Sequence, residues 1–154
     1  MKVPCFRTSP ARAAAAAALA TAALGAAVPS IVHAAPAAPG DRSLVAVLQN
    51  TSSVRLTLAE AETEVVEGEW TTEPPRVIKN GGSGRFGSMS DGDKTGTEAT
   101  IVYRTKYGAV EVHWEQTWKK QNQLITCDAP AELRCDVSTT GTTEKRAAIA
   151  LSNA

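Results

Sequence analysis

The stretch that decides the fold runs from Gly68 to Tyr103, GEWTTEPPRVIKNGGSGRFGSMSDGDKTGTEATIVY. It opens with Trp70 at the end of a β-like run and crosses a Pro74-Pro75 break. A short strand, Arg76 to Lys79, then feeds the turn Asn80-Gly81-Gly82. After Phe86 comes a polar loop, Ser88 to Gly96, in which Gly92 and Gly96 punctuate Ser, Asp and Lys. Thr97 to Tyr103 has strand composition. The whole reads as a surface loop held between sandwich strands, with no residue set that resembles an active site.

Working outward, the flanks also read as strands. Ser43 to Leu48 is apolar and β-branched and ends at the turn-forming Asn50-Thr51-Ser52-Ser53. Val54 to Leu58 alternates, with Val54, Leu56 and Leu58 on one face and Arg55 and Thr57 on the other. Ala59 to Glu67 is expected to be an edge strand or loop, because it lacks the apolar stripe of a helix. Glu98 to Thr105 and Ala109 to Gln116 form the clearest hairpin, joined by a three-residue loop, Lys106-Tyr107-Gly108. Trp114 shares a face with Val110 and Val112 and is expected in the core. Gln123 to Thr126, Leu133 to Ser138 and Ala147 to Leu151 follow as short strands. Roughly eight strands with turn chemistry between them predict an all-β chain, one antiparallel β-sandwich.

The N-terminus has the pattern of a secretory leader. Lys2, Arg7 and Arg12 precede an alanine-dominated apolar run, Ala13 to Val28, and Val32-His33-Ala34 supplies the small residues of a cleavage site. Residues 1–34 are expected to be removed, which makes the protein secreted. Residues 35–41 form a flexible mature N-terminus, and 42–154 form the sandwich domain. Removing Lys2, Arg7 and Arg12 from the 16 basic residues leaves 13 against 16 acidic, a net charge of −3. That balance argues against nucleic acid as a partner, because phosphate binding needs a clustered basic surface. Cys127 and Cys135 are an even pair in an exported chain and predict a structural disulfide across a turn containing Pro130. Their spacing fits neither a metal site nor a C-x-x-C redox pair, and His113 is the only histidine after the leader. No cofactor and no metal are expected.

Read in order, Asn50-Thr51, Leu56-Thr57-Leu58, Gly68-Glu69-Trp70, Pro74-Pro75, Phe86 and Ser90-Asp91-Gly92 form a connected set. Thr95-Gly96-Thr97-Glu98, Tyr103 and His113-Trp114 continue it. This set resembles the aegerolysin family, in particular its bacterial branch of small insecticidal crystal-protein components. The resemblance covers about Ser43 to Trp114. It implies a non-enzymatic β-sandwich that recognises membrane lipids of the sphingolipid type, in some members acting with a pore-forming partner as a cytolysin or toxin component. The chain also departs from the family pattern. Asp93-Lys94 stands where the family carries Phe-Met, Glu115-Gln116-Thr117 replaces Asp-Asn-Pro, Lys120-Gln121-Asn122 replaces Gly-Ser-Asn, and the cysteines lie outside the pattern.

Trp70, Asp91, Lys94, Tyr107 and Trp118 are therefore the candidate lipid- or partner-binding residues. Tryptophan and tyrosine suit a boundary that is apolar on one side and wet on the other. His113 between Glu111 and Glu115 is the one acid–base grouping, and neither a nucleophile elbow nor a calcium-loop spacing accompanies it. A soluble interaction module, an inhibitor or carbohydrate-binding protein, is the alternative, and the polar Asp93-Lys94 favours it.

Overall fold

The computed structural model describes residues 42–119 and 124–154. The expected leader and mature N-terminus lie outside the described residues. Eleven strands are seen among those described: β1 (Ser43–Asn50), β2 (Leu56–Leu58), β3 (Glu64–Glu67), β4 (Glu69–Thr72), β5 (Val77–Ile78), β6 (Ser83–Met89), β7 (Thr97–Thr105), β8 (Gly108–Gln116), β9 (Leu124–Asp128), β10 (Leu133–Thr140) and β11 (Glu144–Asn153). They form two sheets. The first has the order β10-β11-β1-β6-β4, the second β5-β2-β7-β8-β9, with β3 also on β7.

Each strand turns its alternate apolar residues inward, as the period-two pattern requires. Leu44, Ala46, Leu48, Phe86, Ala147, Ile149 and Leu151 come from the first sheet. Ala99, Ile101, Tyr103, Val110, Val112 and Trp114 come from the second, and all are buried. Trp114 is 1% exposed, stacks on Phe86 at 6.0 Å and takes the edge of Trp70 at 5.8 Å. Three rings from β4, β6 and β8 thus tie the sheets together.

The β-sandwich is as expected, with several differences in detail. The β1–β11 pair is parallel, from Ser43 opposite Glu144 to Asn50 opposite Leu151. Alternation fixes which face of a strand is buried, but not which strand lies beside it. The segment Ala59 to Glu67 divides into a 3-10 turn, Glu60–Glu62, and β3. That turn is tethered to β7 by an ion pair between Glu62 and Arg104, which holds the Glu62 carboxyl below its ordinary range. The hairpin turn is shorter than expected, since Gly108 at φ 137° already begins β8. The polar loop begins at Ser90, because β6 takes in Ser88 and Met89 and pairs with β1 and β4 on its two sides.

Gly68 is the hinge between the sheets. β3 pairs with β7 in one sheet and β4 with β6 in the other, so the chain changes layer at this residue. Its φ of 89° is open to glycine alone, and a Cβ there would lie 2.2 Å from the Met89 carbonyl oxygen. Cys127 on β9 and Cys135 on β10 are disulfide-bonded, Cα–Cα 5.9 Å, and staple the two sheets at the opposite side.

Candidate functional site

One end of the sandwich gathers most of the candidate residues. β6 runs into the Ser90–Gly96 loop and β7 runs out of it. Thr97 lies opposite Gln116, so the end of β8 arrives at the same place. Ser43 lies opposite Met89, which brings Arg42 there as well.

The loop is built by short-range bonds. Arg42 N–H donates to Ser90 Oγ (3.0 Å), and Ser90 N–H donates to the Arg42 carbonyl (2.7 Å). The Thr95 hydroxyl closes a turn on Gly92, accepting from its N–H (3.1 Å) and donating to its carbonyl (2.7 Å). Lys94, at the tip, has φ 60°, the one positive value at a non-glycine among the described residues. Gly96 N–H donates to Glu67 Oε1 (2.7 Å). A Cβ on Gly96 would lie 2.8 Å from the Gln116 carbonyl oxygen and 2.9 Å from Thr117 Cα. Only glycine lets the loop press so closely on the chain after β8.

That contact shapes a cavity of about 350 Å³ lined by Glu67, Lys94, Gly96, Thr117, Trp118 and Lys119. Trp118 is half-buried, and the Arg42 guanidinium lies over its ring, 5.1 Å from the centroid. Such a cation–ring contact is attractive, worth about 0.5–1 kcal/mol at an exposed site, and orients the indole at the rim. Lys94 and Lys119 are exposed and have no ion-pair partner among the described residues. Hydrogen bonds tie the ends of β6, β7 and β8 together next to them. Trp114 Nε1–H donates to Ser88 Oγ (2.9 Å), Ser88 and Thr97 hydroxyls meet at 2.5 Å, and Gln116 Nε2 donates to the carbonyls of Thr142 (3.1 Å) and Thr143 (2.8 Å).

The other candidates stand elsewhere. Asp91 is exposed on the same loop but does not line the cavity. Trp70 is half-buried and forms one wall of a second hollow of about 250 Å³ beside Leu58, Glu60, Thr63, Glu73, Pro74 and Arg76. Tyr107 is at the far end of the β7–β8 hairpin, with Lys106 Nζ 4.6 Å from its ring centroid. The structure therefore brings together Lys94 and Trp118, with Asp91 near them, and separates Trp70 and Tyr107. Arg42, Glu67 and Lys119 join the site without having been singled out in the sequence. A lone cation before the first strand carries no local signal, and only the β1–β6 register places it.

His113 meets the Thr100 hydroxyl across the β7–β8 pair (Nδ1 to Oγ1, 3.1 Å) and lies opposite Thr126 on β9. Among the described residues no group of three or more His, Cys, Asp or Glu is placed to hold a metal ion, and no helix is long and apolar enough to cross a membrane.

No family model matches the chain, and no curated protein matches it by sequence. Among solved structures, the fold is similar to the crystal structure of the lipid binding protein Nakanori, with a TM-score of 0.60 and 16% identity, over 73% of this chain and 71% of that one. At that identity the likeness establishes a common β-sandwich fold.

Proposed function

We propose that this chain is an exported, non-enzymatic sandwich of the aegerolysin type that binds a membrane lipid surface of the sphingolipid kind through its loop end, and that it acts with a pore-forming partner as a cytolytic component. The observation that carries this reading is the loop-end cavity, where an indole at the rim stands beside two unpaired lysines. An indole is at home in the headgroup region, and ammonium groups on flexible stems reach lipid phosphates. The ordered motif set and the fold held in common with a lipid binding protein support it. The net charge of −3 after removal of the leader means that adhesion depends on this local chemistry rather than on general attraction to anionic lipid.

Co-sedimentation with liposomes of varied sphingolipid and sterol content tests the reading. Binding to at least one composition is expected, weakened about tenfold or more by Trp118→Ala and by Lys94→Gln, a change of roughly 1.4 kcal/mol. Absence of binding to every composition would sink it. N-terminal sequencing of the secreted product should begin at Ala35. Lysis assays with and without a candidate pore-former test the partnership. The second reading, a soluble inhibitor or glycan-binding module, is favoured by the polar Asp93-Lys94 tip; a glycan array that retains the protein while liposomes do not would establish it.

A further inference from the structure

The strands at the margins of the two sheets differ in how their free sides are guarded. β4 has four residues, is interrupted by a register shift between Trp70 and Thr72, and runs on to Pro74-Pro75. β5 has two residues and β9 has five. β10 has eight, pairs with β11 in unbroken register from Leu133 opposite Asn153 to Thr140 opposite Arg146, and contains neither proline nor lysine. Its other side presents a row of backbone N–H and C=O groups with no strand beside it among the described residues. An edge of that length without a bulge or proline is a template for another strand.

We propose that this edge is the docking surface for a second copy of this chain, β10 pairing antiparallel with its counterpart about a two-fold axis at Cys135. In that register Arg134 faces the partner's Asp136, and Asp136 faces the partner's Arg134. Within one copy Arg134 already grips Asp136 bidentately, Nε to Oδ2 at 2.8 Å and Nη2 to Oδ1 at 3.1 Å, on the exposed outer face. Two such pairs brought together form a closed ring of four alternating charges, so each copy keeps its own pair and gains two across the axis. A two-fold interface requires a self-complementary patch, and this one is. Centring the axis on Asp136 would set like charges directly opposite, which is destabilising. Centring it on Val137 would leave both charges facing hydroxyls. On the inner face, half-buried Val137 would come opposite the partner's Leu133, covering apolar surface at the margin of the core. The disulfide holds the β9 edge close beneath β10, so the two edges meet the partner together.

Sedimentation equilibrium of the purified protein over a wide concentration range tests this. A reversible dimer that weakens as salt is raised is expected. Arg134→Asp and Asp136→Arg should each weaken dimerisation at least tenfold. An equimolar mixture of these two variants should restore it as a heterodimer, since both cross-axis contacts become attractive again. A purely intramolecular role for the pair cannot be rescued by mixing. Circular dichroism confirms that each variant is folded; concentration-dependent slowing of β10 amide exchange in the unaltered chain provides an independent readout. A monomer at all concentrations, dimers indifferent to either variant, or a mixture that stays monomeric would each overturn the proposal.

Discussion

At the residue scale, buried polar groups set the fold's finer tolerances. Asn50 is fully buried, and its amide donates to the carbonyls of Val54 (2.7 Å) and Lys79 (3.2 Å) while accepting from Ser52. It knits three chain segments at the end opposite the loop. Asn50→Ala should cost about 2–3 kcal/mol in urea unfolding, because it leaves the buried Val54 carbonyl without its donor. Tyr103 is equally buried, and its hydroxyl donates to the Pro75 carbonyl at 3.0 Å. Burial pushes its phenol pKa far above the ordinary value of 10.0. The unfolded chain therefore releases this proton first as pH rises. Stability is unaffected by this group below about pH 10 and falls above it, by up to about 1.4 kcal/mol per pH unit. Tyr103→Phe should lose that alkaline slope, at a cost near neutrality of about 1 kcal/mol for the missing hydrogen bond. Melting temperatures from pH 7 to 11.5 check both statements.

At the element scale, the chain's changes of layer carry the strain. Gly68→Ala places a methyl group against the Met89 carbonyl in a left-handed conformation, and should destabilise by about 2 kcal/mol or more. Its signature is loss of the β3–β4 passage, read as faster amide exchange in those strands than in β7 and β8. The Cys127–Cys135 bridge closes a separation of eight residues and joins sheets that share no strand. Reduction, or Cys135→Ser, should lower stability by about 2–3 kcal/mol, measured as a shift of the urea midpoint. β6 shows where composition misleads. SGRFGSM has the makeup of a loop, yet β1 and β4 flank it and supply partners for its backbone on both sides. Strand propensity reflects such neighbours more than it reflects the residues themselves.

At the scale of the whole molecule, the sandwich separates its aromatic groups by role. Trp114 is core, Trp70 closes the side of the two sheets, and Trp118 stands at the rim of the loop end. If the loop end meets a membrane, brominated lipids should quench Trp118 fluorescence and leave Trp114 untouched. Trp118→Phe should then abolish most of the quenching, while Trp70→Phe leaves it largely intact. Equal quenching after Trp118→Phe would place the contact on another face. Arg134 stands near the Asn153 end of the β10–β11 pair, remote from the loop end that Thr140 approaches, so Arg134→Asp should leave liposome binding by each copy unchanged.

The sequence by itself determined the β class, the inward faces of β2 and β8, the core position of Trp114 and the pairing of Cys127 with Cys135. Period-two alternation and cysteine count are local properties, and they survive without knowledge of the partner strands. Only the tertiary structure decided that β11 inserts beside β1 in parallel, that β6 is a strand, and that Arg42, Glu67 and Lys119 join Lys94 and Trp118 at one end. Those outcomes depend on which distant segments share a sheet, and on how closely Gly96 lets the loop approach the chain after β8. No single stretch of residues encodes that choice; the packing of the two sheets makes it.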